Sequence, residues 1–395
     1  TSAKGGSSPS GGSSSSTAGG TSAKGGTSSS NGSSVGGTTA AGGTSSSSNT
    51  SAGGTTTAGG TSNAGGSSPG GTTGDPDTDG KCGTTWAAGG DSGAPALAAT
   101  VTPTNSGDVW TFTYGRYKFV VSAKTAGRII EYSVGGKNII YPSTQYGDST
   151  FAPSPQSNYP SIWPPPAELD SNPYTATMAD NILSLVGKTN NDLKLSFNKR
   201  FWVNAESGVV TLEYTIVNQA TASATWAPWE ITRVPAGGFT FAPKGPGTRT
   251  FKLNDWETAM PLTANGGINW LDYAAKASSM TKENYIVEFD GTEGWLAHAQ
   301  SISSTPLLFV KSFKDAQDSA LPPDQGEIQL WTNGSASADP KRIEVEEQGE
   351  QKALAAGGKL TWTVNWSLCE LPATNVLAVG NADLVKYARA HAVKQ

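Results

Sequence analysis

In this chain of 395 residues, the run Arg342-Ile-Glu344-Val-Glu346-Glu347 places charged groups where they could do chemistry. On a β-strand Arg342, Glu344 and Glu346 share one face while Ile343 and Val345 take the other. Same-face neighbours stand about 6.6–6.8 Å apart, so the two carboxylates could bracket a pair of hydroxyls. Either glutamate could serve as a general base, and a base needs an acid partner. The chain has two histidines. His391 lies in the tail, whereas His298, in Trp295-Leu-Ala-His-Ala-Gln300, has a strand face to itself. Against these readings stand a solvated acidic edge running on through Glu347 and Glu350, and a purely structural His298.

Three more passages combine flat rings with polar groups: Phe151-Ala-Pro-Ser-Pro-Gln156, Trp163-Pro-Pro-Pro-Ala-Glu168-Leu-Asp170, and Trp226-Ala-Pro-Trp229-Glu230-Ile-Thr-Arg233. Trp163 and Trp229 each stand beside a proline and Trp226 is two residues from one, which stiffens the backbone and keeps it off a regular ladder. Gln156, Glu168, Asp170, Glu230 and Arg233 supply hydrogen-bonding groups. The competing reading makes the tryptophans core residues and Glu230 the buried partner of an arginine. Parity adds a condition. On a regular strand Glu230 and Arg233 point to opposite faces, so a bulge or turn is needed for both to line one cleft.

With these runs on the page, the chain resembles the galactose mutarotase-like family, the aldose-1-epimerase supersandwich, over residues 105 to 372. Within that family it is similar to a bacterial branch carrying the same W-P-P-P-x-E-x-D and W-x-P-W-E-x-x-R runs. The resemblance implies a large antiparallel β-sandwich with a sugar-facing concave sheet, and it does not imply one particular reaction. Sugars offer apolar C–H faces and a ring of hydroxyls, which flat aromatics, carboxylates and guanidinium groups recognise. It implies Gln156, Trp163, Glu168, Asp170, Trp226, Trp229, Glu230 and Arg233 as binding residues. The family's enzymes pair a mid-chain His with a Glu nearer the C-terminus. Here that gives Glu344 or Glu346 as base and His298, late in the chain, as acid.

The elements that must position these residues read as β almost throughout. Strands are expected at Val109–Tyr114, Tyr117–Ser122, Leu183–Val186, Leu193–Val203, Val209–Val217, Trp229–Val234, Phe239–Phe241, Arg249–Leu253, Ile286–Phe289, Trp295–Ala299, Leu307–Lys311, Glu327–Trp331, Arg342–Glu347 and Leu360–Leu368, with a hairpin through Gly135-Gly136. More than a dozen strands with short connections make an all-β antiparallel sandwich. In the tail, Asn381 can cap a short helix over Ala382–Ala392 whose apolar face is thin.

Composition divides the chain into 1–95, a Gly/Ser/Thr-rich stalk and acidic hinge; 96–372, the sandwich; and 373–395, the tail. Through Gly74 the only charged side chains are Lys4 and Lys24 and the only large aliphatic is Val35, so this arm is expected to be disordered. Ten Gly-Gly pairs punctuate its first 71 residues. It resembles the tethers that follow the lipid-anchor cysteine of myxobacterial surface lipoproteins. Asp75, Asp77 and Asp79 followed by Gly80 begin like a calcium loop, but Trp86 stands where its bidentate Glu belongs, so no metal is expected. The chain reads as a processed mature form, with no signal-like apolar segment.

The two cysteines, Cys82 and Cys369, flank the sandwich. In an oxidising compartment they suggest one disulfide; the alternative is two unpaired thiols. A net charge of −5 with no Lys/Arg cluster argues against nucleic acid, and no apolar run reaches the roughly 18 residues a bilayer requires. No cofactor is expected. The leading expectation is a secreted or surface-tethered carbohydrate-binding protein at the extracellular or outer cell surface. An aldose 1-epimerase and a structural surface or filament protein with a glycosylated stalk are the alternatives.

Overall fold

Alternating apolar and polar residues set the strands, and two glycines close the short hairpin that follows Val134. Gly135 and Gly136 both have positive φ, 56° and 75°, as a tight two-residue turn requires. The structure, a computed structural model, describes residues 79–83, 100–142, 147–160, 163–247, 257–323, 325–339, 341–374 and 377–395. The expected disorder of the arm, the first two aspartates of the acidic hinge and the expected strand Arg249–Leu253 lie outside the described residues.

The first sheet runs β1 (Thr104–Ser106), β2 (Val109–Tyr114), β3 (Tyr117–Ser122), β4 (Arg128–Val134), β6 (Ser149–Ser154), β11 (Ala224–Pro235), β20 (Arg342–Gln348), β19 (Ile328–Asn333), β16 (Asn284–Phe289) and β13 (Thr258–Ala259). Short β5 (Lys137–Asn138) pairs with β4, and β21 (Lys352–Leu354) with β11. The second sheet runs β14 (Thr263–Asn265), β15 (Ile268–Asp272), β12 (Phe239–Pro243), β17 (Trp295–Ile302), β18 (Thr305–Phe313), β22 (Lys359–Glu370), β10 (Val210–Asn218), β9 (Leu195–Val203), β8 (Ile182–Val186) and β7 (Thr175–Ala179). Neighbouring strands are antiparallel except β13 and β16. The fold is therefore an all-β sandwich of two large sheets.

Aromatic rings fill the space between the sheets. Phe151 of β6 stacks on Tyr214 of β10 with ring centroids 4.3 Å apart, and Trp366 meets Phe119, Tyr132 and Phe309. Truncating a ring of this kind to alanine typically costs about 3–5 kcal/mol, so this layer dominates the stability of the sandwich.

A second, smaller core lies on the outer face of the second sheet. There α3 (Ala382–His391) buries Leu384, Val385, Ala388 and His391 near Ala297, Ala299 and Leu308. Asn381 caps the helix by accepting from the Asp383 amide. Its thin apolar face packs into a cluster that also holds Phe241, Trp270, Trp295 and Val310. Cys82 and Cys369 are joined by a disulfide with Cα atoms 5.0 Å apart. The Cys82 amide donates to the Glu370 carbonyl and the Glu370 amide to that of Gly80, which stitches the entering chain to the end of β22.

The expectation that proline keeps the Trp226–Trp229 run off the ladder is corrected. β11 passes straight through Pro228, which stands opposite Pro153 of β6, so two residues lacking N–H groups face one another. The Pro228 carbonyl still accepts from the Gly349 amide.

Candidate functional site

Parity along β11 decides which side chains reach the site. Trp229, Ile231 and Arg233 are opposite Gln348, Glu346 and Glu344 of β20, and directly paired residues share a face. That face points away from the aromatic core. Pro228, Glu230 and Thr232 take the other face with Glu347 and Val345, and there is no bulge in the register.

On the outer face the groups form one connected cluster. The Trp229 indole Nε1 donates to Glu346 Oε2 at 2.8 Å. Arg233 Nε donates to Glu344 Oε1 at 2.9 Å, and Arg342 Nε reaches the same oxygen at 3.3 Å. Trp163, 41% exposed, stands edge-on to Trp229 at 6.0 Å and lies 5.8 Å from the Arg233 guanidinium. Trp331 of β19 carries Arg342 over its ring at 4.8 Å. The result is a floor of paired charges with an exposed indole above it.

The cluster continues toward β4 and β16. Arg128 pairs with Asp170 at 2.5 Å, and Thr150 Oγ1 donates to the same carboxylate at 2.6 Å. Asp148, buried beside them, has its pKa pushed up to about 6 by desolvation, against the pull of Arg128 and Arg233. On the far side Glu288 accepts from the Gly326 amide at 2.7 Å. Burial, reinforced by the neighbouring Glu344, raises the Glu346 carboxyl well above the usual glutamate range, while the Trp229 hydrogen bond and Arg233 oppose the shift.

Of the residues singled out in the sequence, Trp163, Trp229, Arg233, Glu344 and Glu346 come together, with Asp170 at one margin. β20 lies between β11 and β19, so the reading of its glutamates as a solvated edge is corrected. Gln156 sits half-buried on the turn after β6. Glu168, in the short helix α1 (Ala167–Asp170), accepts from Asn190 at 3.0 Å, and this bond lowers its pKa.

Three of the binding and catalytic candidates stand away from this face. Trp226 packs into the core between the sheets, because it has the parity of Glu230 and not that of Trp229. Glu230 is fully buried on the inner face, where Lys311 of β18 lies 3.8 Å away and bridges to Glu347 at 2.5 Å. Its partner is thus a lysine from the opposite sheet. His298 is fully buried on β17, in the second sheet, held between Thr240 Oγ1 at 2.9 Å and Gln300 Oε1 at 3.2 Å. Desolvation lowers its pKa to about 4. It does not stand with Glu344 and Glu346, so the acid–base pair of the epimerase reading is not assembled from these three residues.

Sequence reasoning missed Trp331, Gln329, Gln348 and Glu288 as members of this face. The period-2 signal was available, since Gln329 and Trp331 alternate with Leu330 as Glu344 and Glu346 do with Val345. A cavity of about 260 Å³ opens beyond the end of β11, lined by Ala236, Tyr273, Met280 and Ile343 among others. It contains none of the clustered residues, and the arrangement of paired charges and rings marks the outer face as the better candidate. A cysteine–histidine grouping, Cys82, Cys369 and His391, is no metal centre: both sulfurs are committed to the disulfide.

No protein-family model and no curated protein matches the chain. Among solved structures, it is similar to a TPR-domain containing protein from Parabacteroides distasonis ATCC 8503, at 10% identity and a TM-score of 0.40. That likeness covers 69% of this chain and 50% of the other, so the chain spans half its length. A galactose mutarotase-like protein from Clostridium acetobutylicum matches at 8% identity and TM-score 0.42, over 68% of this chain and 98% of its own. One from Lactobacillus casei ATCC 334 matches at 12% identity and TM-score 0.45, over 66% of this chain and 99% of its own. The chain is similar to galactose mutarotase-like proteins.

Proposed function

We propose that this protein binds carbohydrate through the outer face of its first sheet, and that it does so outside the cell. The single observation that supports this reading most is the exposed Trp163 ring set over the Arg233–Glu344 pair and against Trp229. A flat, exposed indole can stack on the C–H face of a sugar ring, while neighbouring carboxyl and guanidinium groups meet its hydroxyls. Proline on the C-terminal side of Trp163 limits the freedom the ring has to lose on binding. The disulfide is consistent with an oxidising compartment, and no helix among the described residues is long and apolar enough to cross a membrane. In this reading residues 1–95 form the stalk, 96–372 the binding sandwich and 373–395 the tail.

A glycan-binding screen of the full chain tests it. Binding that is retained by the wild type and lost in Trp163→Ala supports the proposal; absence of binding to any glycan at millimolar concentration contradicts it.

A further inference from the structure

The two glutamates of β20 sit in different company, although they share a face and are two residues apart. Glu344 is gripped by two guanidinium groups, Arg233 at 2.9 Å and Arg342 at 3.3 Å. Glu346 is buried, and among the described residues its side-chain hydrogen bond comes from a neutral donor, the Trp229 indole at Oε2. The groups around it are Glu344 and Arg342 on its own strand, Arg233 and Trp229 on β11, Gln329 and Trp331 on β19, and Glu288 on β16. Tyr273, at the start of α2 (Tyr273–Ala277), is a further neighbour, a phenol whose pKa burial raises. Gln329 and Gln348, also buried on this face, each keep one amide atom without a hydrogen-bond partner among the described residues, Nε2 and Oε1 respectively.

Resting on the proposed carbohydrate site, we infer that Glu346 meets its ligand as an un-ionised carboxylic acid, donating a hydrogen bond from Oε1, and that the ligand is a neutral saccharide. The cations of the face are already committed: Arg128 to Asp170, and Arg233 and Arg342 to Glu344. Among the described residues Glu346 has no ion-pair partner of its own, and ionising it would add an anion to a buried group that already holds Glu344 and Glu288, where Arg233, the cation that acts on it, is already bonded to Glu344. Burial acts in the same direction as these neighbours. With Trp229 donating to Oε2, the proton belongs on Oε1. A buried neutral carboxyl offers a ligand oxygen a donor, which a carboxylate cannot do. A uronate or sulfated sugar would bring a further negative charge to a face where, apart from the un-ionised Glu346, the carboxyl groups of Asp148, Asp170, Glu288 and Glu344 already stand among the guanidinium groups of Arg128, Arg233 and Arg342, and it is disfavoured.

The protonation state is testable without any sugar. Full-length protein labelled with ¹³Cδ-glutamate is titrated by NMR, and the Glu346 signal is the one removed by Glu346→Gln. At about pH 6, where an ordinary glutamate is almost wholly ionised, the signal should hold its carboxylic-acid position. A signal already at the carboxylate position there overturns the inference. If Glu346→Gln fails to fold, the carboxylic-acid carbonyl stretch of the wild type across the same pH range, compared with Glu346→Asp, decides the same point.

The ligand class is read on an array holding neutral saccharides, uronates and sulfated saccharides. Binding confined to neutral saccharides, weakening about tenfold per pH unit once Glu346 ionises, supports the inference. Preference for uronates or sulfated sugars overturns the ligand class. Binding to nothing overturns the carbohydrate site itself, while the NMR titration still decides the state of Glu346.

Discussion

Trp163 and Trp229 are neighbours with different tasks, and their burial separates them. Trp163 is exposed and edge-on to a ring that is itself buried against Ala152 and Ile231. Trp163→Ala should therefore shift stability by less than about 1 kcal/mol while abolishing most sugar affinity, as thermal melting beside calorimetric titration can show. Trp229→Ala should lower stability by about 3 kcal/mol and lose affinity as well, because it opens a cavity and strips Glu346 of its indole donor. Trp229 thus supports the platform that Trp163 presents. Lys199 is a different kind of residue. Its buried amine has no hydrogen-bond partner among the described residues and lies 5.5 and 5.9 Å from the rings of Tyr174 and Tyr214. Desolvation lowers its pKa to about 7. The unfolded chain holds this proton up to about pH 10.5 and the folded one only to about 7, so stability rises with pH across that window. Lys199→Met should stabilise the protein by about 1–4 kcal/mol at neutral pH, and denaturant titrations from pH 7 to 10 should lose their upward slope.

At the scale of elements, strand parity carries most of what could be read in advance. Val109–Tyr114 and Tyr117–Ser122 begin and end where alternation and the intervening Gly115 place them. The separation of Glu230 from Arg233 follows from the same rule, since nothing interrupts the register of β11. Trp226 has the parity of Glu230, and its place in the core was legible by the same count. β6 was harder to see. Pro153 and Pro155 look like loop residues, and only the matching Pro228 across the ladder lets Ser149–Ser154 run as a strand. The long-range contacts had no local signal at all: Lys311 reaching Glu347, or Trp331 joining Glu344, depend on which strands become neighbours. Both site glutamates sit on a strand flanked on each side, so the alternation of β20 marked the face but not its burial.

Across the whole molecule, the two ends of the sandwich meet at β22. Glu370 receives Lys81 at 2.5 Å, Arg116 at 2.9 Å and Lys137 at 3.2 Å, beside the disulfide. Burial would raise its pKa, but the hydrogen bonds from Arg116, Lys81 and Lys137 prevail and hold it at about 2. A carboxyl depressed on folding stabilises above its unfolded pKa, and that stability drains as pH falls from about 4.5 to 2. Glu370→Gln should cost about 2 kcal/mol at pH 7, with a difference from the wild type that closes over this acid window in denaturant titrations. Replacing both cysteines by serine should cost about 5–6 kcal/mol on loop-entropy grounds, given a separation of 287 residues.

The central claim, that the outer face of the first sheet holds the sugar, is tested most directly by following the indole N–H signals of the twelve tryptophans while a bound glycan from the screen is titrated. The signals of Trp163 and Trp229, assigned by single substitutions to Phe, should shift and saturate together, while those of the core residues Trp226 and Trp366 stay in place. Saturable shifts confined to Trp226, Trp366 or any indole remote from this face would contradict the account.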